Sequence, residues 1–599
     1  MFADESVARP ISILLSYGFQ WFLFLLPGFS ICARTAGRLS QTAVQSVITI
    51  VLTGAVLGYL SFWAFFAHRA IGRSFTMLVY AAAVILVVEA LLRRPAAVKG
   101  LVWQVGPPFA LVLISGMFYL SCFYLFEGPH DPGASLGDIR FFEAVRPGDN
   151  LIPEIFADKI YRHEPLRPFC CGDWLSSDRP PLQSGIFLLL RPLRIAGSAG
   201  LQYQVLSTVL QCLWICGVWS LLTALNTPAK RSLQLLVPLI FSGFLFYNSV
   251  YVWPKLMAAT FILFAICILL QILRSGRATH VDFALGSISV SLALLAHPGS
   301  VFSLFAFLLV VVSRWRTFKT RKIIPAAVLG ICLLLPWTAY QHFVDPPGNR
   351  LLKMHLAGVF DVDQRSFARA LVDSYRQHSI SQIARFKFEN FKTLFGPKPL
   401  DSMGLSAFRF GPGIHLDRAA IERSRVLERE YIWNAVGWLN LGWIVLAVSL
   451  VRGRKLPRSA VTGGHWLIIA AIVNLLFWCL LDFGPGETFT THSSYADLLL
   501  LEVGLGGWML ALPAGFVLII LGLQVFSLFA VWVLYPPVQF FSSPVVMNVP
   551  FLVAALVSAC SLLGIFFRST YKQLTSPDGP DASNRPGSDT LRPSIPEPV

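Results

Sequence analysis

Charge is what this chain has least of. Asp, Glu, Lys and Arg make up 13% of its 599 residues, about half the share of a soluble chain, which excludes an ordinary water-soluble globule. Metal and redox spacings are missing as well. There are ten cysteines but no CxxC pair and no Cys/His spacing that suits zinc. Cys32, Cys212, Cys267, Cys332 and Cys560 fall inside apolar runs, where cysteine acts as a small hydrophobe. Cys170 and Cys171 are adjacent in a polar stretch; neighbours rarely bridge each other, so two thiols or a packing role are expected. Met1 to Arg9 carries Asp4 and Glu5, no basic leader region and no small-residue cleavage site, so no removable signal peptide is expected. P-loop, GxSxG and HExxH patterns are absent, and no run of charges crosses the apolar stretches as an ion or proton relay requires.

What is present is apolar length. Hydrophobic residues are 55% of the chain, in runs long enough to cross a bilayer. Fifteen spans are expected, at 10–33, 42–67, 74–92, 101–126, 201–225, 232–248, 255–273, 282–297, 300–314, 323–343, 431–451, 464–481, 497–512, 514–535 and 545–567. With an uncertainty of two, this is an all-α polytopic membrane protein of about 13–15 transmembrane helices with two long outer loops. The piece 184–199, interrupted by Arg191, Pro192 and Arg194, reads as a surface or re-entrant helix. Gly54-x-x-x-Gly58 is a small-residue packing pattern. The expected regions are 1–126 (first helices), 127–200 (outer loop), 201–343 (central helices), 344–430 (second outer region), 431–567 (last helices) and 568–599, a Pro/Ser/Asp/Gly-rich tail expected to be disordered.

The net charge of +16 does not point to nucleic acid. Nineteen Lys and Arg residues sit in short loops that contain no acid, among them Arg34, Arg93, Lys230, Arg274, Arg314, Arg452 and Arg568. The positive-inside rule places these loops in the cytoplasm. The loop 127–183, with ten acids and six bases, then lies outside, with 344–430. One short loop dissents, putting Arg69 and Arg73 outside.

Chemistry-bearing residues collect in the outer connections, and each has two readings. Asp149, before the amphipathic stretch Leu151 to Tyr161, is a helix N-cap or an acid/base group. Asp178, followed by Arg179, Pro180 and Pro181, starts a rigid turn or lines a site. Lys255 snorkels or meets a phosphate. His297 and His492 are hydrogen-bonded helix-end residues or site residues. Arg350 and Lys353 open the second outer region. Arg191 and Arg194, at headgroup level, meet lipid phosphate or an anionic ligand.

Asp149-Asn150, Gly172-Asp173-Trp174 and Arg179-Pro180-Pro181-Leu182 together resemble the outer loop of the GT-C superfamily of polyprenyl-phosphate-dependent glycosyltransferases. The likeness is to the branch of protein mannosyltransferases and aminoarabinose lipid A transferases. It covers about 40 of the 599 residues. Asn150 stands where the family has a second acid, and four spans precede the loop where the family places one. The resemblance implies a GT-C-like fold and transfer of a sugar from a polyprenyl-phosphate donor to an acceptor hydroxyl. Asp149 is then the general base. Asp178, Arg179, Lys255, His297, Arg350, Lys353 and His492 are the expected substrate-binding residues. No cofactor is expected and the reaction is expected to be metal-independent. The expected partners are the lipid-linked donor, a glycan, lipid or protein acceptor, and membrane lipids. The setting is a bacterial cytoplasmic membrane with the site on its periplasmic face. The alternatives are a transporter or flippase, and a polymerase or ligase, of lipid-linked glycans.

Overall fold

The computed structural model describes residues 5–36, 42–126, 140–142, 148–170, 172, 174–194, 197–276, 278–318, 321–396, 408–410, 414–452, 459–536 and 546–574. The expected disordered tail from 575, with Cys171 and Asp173, lies outside them. The described chain is helical apart from one short antiparallel pair, Phe408–Phe410 on Ile414–Leu416. The first helices are α1 (Glu5–Thr35), α2 (Ala43–Ala67), α3 (Arg69–Arg93) and α4 (Pro95–Phe123). The outer loop contributes α5 (Ile152–Arg162) and α6 (Leu182–Leu190). The last helix, Val549–Leu574, continues beyond the expected boundary at 567.

Among the described residues eleven helices are long and apolar enough to cross a bilayer, and the pair Ala229–Ile240 and Gly243–Tyr251, bent by 69°, makes a twelfth. The chain is therefore a multi-pass membrane protein. Three expected spans are shorter helices: His280–Ala296, Pro298–Ser313 and Tyr495–Met509. At 1.5 Å per residue the 17 residues of the first reach about 26 Å, short of the roughly 30 Å hydrocarbon core. Shelter compensates for length in the last, where all but Trp508 are buried and protein replaces lipid around the helix.

Contacts between connections sort them into two ends. At the basic end Arg94 donates to the Ala36 carbonyl (3.2 Å), Gln45 to Asp282 (3.1 Å), Lys322 to Ala278 (2.9 Å) and Ala460 to Gly507 (2.9 Å). At the other end Arg69 N–H donates to His163 (2.9 Å), Arg425 to the Phe141 carbonyl (2.8 Å) and Asn548 to the Leu125 carbonyl (2.7 Å). The helical passes alternate between these ends in the order the spans predict.

Segment 184–199 is expected to be a surface or re-entrant helix, and its helical part does not lie on the surface: all nine residues of α6 are buried, while Arg191 to Leu193 are half-buried and Arg194 is exposed. Glycines make room for it. A Cβ on Gly58 of α2 would collide with Ile186, whose Cα would be 2.9 Å away, and a Cβ on Gly185 would collide with the Gly58 carbonyl. Gly54, one turn earlier, faces α1, where a Cβ would stand 2.6 Å from the Phe24 carbonyl. Helix α5 is amphipathic as expected and buries Ile152, Phe156 and Ile160. Ser184 of α6 donates to the Pro153 carbonyl of α5 (2.8 Å), so the two outer-loop helices are joined.

Candidate functional site

Asp149 precedes α5 but does not cap it. The N-cap is Leu151, with no side-chain cap bond. The Asp149 carboxylate instead accepts a hydrogen bond from Arg179 Nη2 at 2.8 Å, and the two side chains are 18% and 8% exposed. The Arg179 guanidinium lies over Trp174 (4.7 Å to the ring centre) and Trp253 (5.6 Å). Arginine is suited to this position, since its planar fork both stacks and donates.

The turn carrying Arg179 is pinned from two sides. Asp345 of the second outer region accepts from the Ser176 hydroxyl (2.6 Å), the Ser177 N–H (3.1 Å) and Arg167 (2.6 Å). Asp178 accepts from the Leu175 N–H at 2.9 Å and pairs with Arg350 at 3.2 Å. Asp178 thus closes a turn, as one of its two readings holds, and ties that turn to the second outer region. Burial pushes its carboxyl up, against the Leu175 bond and the charges of Arg350 and Arg179.

A second turn delivers Trp253 and Lys255. Val252 is buried with φ 58°, a left-handed conformation that is rare and strained for a β-branched residue. Gln183 Nε2 donates to the Val252 carbonyl at 2.9 Å and to Tyr203 at 2.7 Å. Gln183, just after the proline pair, therefore reaches the turn that begins the helix Lys255–Ser275. Lys255 does not snorkel. It is buried, donates to the Thr491 and Ser493 carbonyls (3.2 Å to the latter) and lies 4.4 Å from the centre of the Trp253 ring. Arg179, Asp149 and Arg429 are close enough for their charges to act on it.

Three histidines complete the cluster. His297 is buried, and its ring meets Trp253 edge-on at 5.8 Å. Its Nδ1 accepts from the Gly299 N–H (3.1 Å), the helix-end role, while Nε2 is buried without a partner among the described residues. His492 Nδ1 donates to the Glu487 carbonyl (2.8 Å), which leaves Nε2 as the acceptor. His355 lies 3.4 Å from Asp482 and 5.8 Å, ring to ring, from His492. Burial, with Lys255 among the charges that add to it, pushes His297 well below the ordinary histidine value, His355 to about 4 and His492 to about 3. Burial pushes Asp482 up to about 7.

Of the expected residues, Asp149, Arg179, Lys255, His297 and His492 converge, and Asp178 and Arg350 abut them through Trp174, which the Arg350 guanidinium overlies at 5.5 Å. Lys353 is spent elsewhere: it is buried and donates to the Asp363 carbonyl at 2.5 Å. Trp253, His355 and Asp482 join the site although none is among the expected site residues; Trp253 and Asp482 fall in the outer connections where polar and aromatic residues gather. Their signal is the recurrence of aromatic and polar residues at span ends. Among the described residues no group of three or more His, Cys, Asp or Glu is placed to hold a metal ion. Comparison with family models, with curated proteins and with solved structures gives no match.

Proposed function

We propose that the chain is an integral-membrane glycosyltransferase that moves a sugar from a polyprenyl-phosphate donor to an acceptor hydroxyl. It works on the face opposite the short basic loops, the periplasmic face of a bacterial cytoplasmic membrane. The observation that carries this reading is the largely buried Asp149–Arg179 pair, with Lys255 and the unpartnered His297 Nε2 around it. Asp149 takes the proton of the acceptor hydroxyl as that oxygen bonds to the anomeric carbon. The bond from that carbon to the phosphate oxygen breaks, and its electron pair leaves with the lipid phosphate. Arg179 and Lys255 stabilise the departing anion. A single displacement inverts the anomeric centre. Arg350 supports the cation cluster through Trp174, and Lys353 shapes the outer region rather than touching substrate.

The test uses the full chain in mild detergent, with native mass spectrometry and a membrane extract that supplies the acceptor. Wild type and Asp149→Asn are expected to retain a polyprenyl monophosphate and Arg179→Ala to lose it, while Asp149→Asn alone among lipid-retaining forms fails to discharge the sugar. Discharge by Asp149→Asn at the wild-type rate rejects the base role. A second reading, a ligase or polymerase of lipid-linked glycans, is favoured by one observation: His355 of the second outer region reaches His492. It predicts a glycan-bearing polyprenyl diphosphate, and activity lost in His355→Gln but kept in Asp149→Asn.

A further inference from the structure

The short loop that broke the charge rule has a structural counterpart. A cavity of about 570 Å³ opens at the far end of α5 from Asp149, lined by Arg69, Arg73, Met77, Tyr161, Arg191 and Arg194. The length of α5 separates them, about 16 Å by helical rise. Three of the arginines surround one ring: the guanidiniums of Arg191, Arg69 and Arg73 lie 4.1, 4.4 and 5.6 Å from the centre of Tyr161. Burial works to raise the Tyr161 pKa, but the hydrogen bonds and charges of Arg73 and Arg69 outweigh it and lower it.

The carboxylates nearby do not balance this charge. Asp158 pairs with Arg191 and, at 3.8 Å, with Arg162. Glu164 pairs with Arg162 at 3.6 Å, which does not line the cavity. Arg69 Nε is buried without a hydrogen-bond partner among the described residues. Arg73 and Arg194 are exposed. Like charges crowded on one ring are relieved by an anion, and guanidiniums hold phosphate oxygens through paired N–H groups.

The cavity floor tells which anion. Met77 is 50% exposed and continues into a lipid-facing stripe on α3, where Ile71, Leu78, Ile85 and Leu92 recur every seventh residue with exposures from 55% to 79%. The volume suits a ligand of some size and exceeds the needs of a bare phosphate. We propose that this cavity binds the phosphate headgroup of an anionic membrane lipid, whose chain runs down the exposed face of α3. This assignment does not rest on the transferase reading.

The experiment is native mass spectrometry of the full chain in detergent, titrated with dioleoyl-phosphatidylglycerol, dioleoyl-phosphatidylcholine or inorganic phosphate. Wild type is expected to bind the first phosphatidylglycerol at least about tenfold more tightly than phosphatidylcholine. Arg73→Gln/Arg194→Gln should weaken that first adduct by about tenfold or more, at roughly 1 kcal/mol per arginine. Arg314→Gln/Arg316→Gln, at the basic end, should leave it unchanged, and millimolar phosphate should not displace it. An unchanged adduct in a double variant that melts like wild type overturns the proposal, as does equal binding of the two lipids. Displacement by free phosphate assigns the arginines to a soluble anion and overturns the lipid.

Discussion

Arg179 does two jobs with one side chain: it bonds Asp149 and stacks on two tryptophans. Lysine keeps the charge but neither the fork nor the plane. Arg179→Lys is therefore expected to destabilise the fold by about 1–3 kcal/mol and to weaken retention of a lipid phosphate. Thermal unfolding and native mass spectrometry of one preparation report both. The histidines make a pH prediction. Their folded values, about 4 for His355 and about 3 for His492, lie below the ordinary 6.5. Their stability is thus present above pH 6.5 and lost as pH falls through those values. Asp482, raised to about 7 from 3.8, runs oppositely: its contribution is present below 3.8 and lost as pH rises through about 7. Relative to wild type, His492→Gln should lose less melting temperature between pH 6.5 and 4, and Asp482→Asn less between pH 4 and 7. A wild-type slope in either variant refutes the assignment. Asp149, Arg179 and Lys255 are legible because each sits beside a local signal: the start of an amphipathic stretch, a proline pair and a span end. His355 and Asp482 are not, because their contact joins separate outer connections.

Helix α6 shows why an element can be legible and its place not. Its apolar composition and the break at Arg191–Arg194 mark a short helix that does not span. Such a helix can lie at the interface or be buried, and composition is the same either way. The facing glycines decide, since Gly58 and Gly185 let α2 and α6 approach to backbone contact. Arg179 and Gln183 flank the start of α6, so this packing also sets the site. Gly185→Val is expected to destabilise by about 1–3 kcal/mol through overpacking and to disturb the Val252 turn through Gln183. Gly522→Val, where a Cβ would meet open space, is the control and should melt within about 0.5 kcal/mol of wild type. The same limit on composition explains the span lengths. Hydropathy located Tyr495–Met509 and His280–Ala296 but could not reveal how short the helices are, or that the first is almost wholly buried among its neighbours.

At the scale of the molecule the two ends differ in kind. One joins basic loops through a few single hydrogen bonds, to backbone carbonyls or, for Gln45, to Asp282, and through the pairing of Arg34 and Arg93 with Glu89. The other holds the paired carboxylates, the stacked tryptophans and the arginine-lined cavity. The positive-inside rule reads the first end as cytoplasmic. Arg69 and Arg73, its one short dissenting loop, face a cavity with two further arginines rather than bare lipid, so a binding role accounts for the exception without reversing the protein. Sidedness can be tested directly. In a background with Cys170 and Cys171 changed to serine, Arg162→Cys places a thiol at the exposed end of α5, and Arg316→Cys places one in a basic loop. Sealed right-side-out vesicles treated with an impermeant maleimide should label position 162 at once and position 316 only after permeabilisation. The reverse pattern would put Asp149 on the cytoplasmic face and sink the outward-facing transferase. Labelling of both from one side would break the alternation of passes on which the sidedness rests.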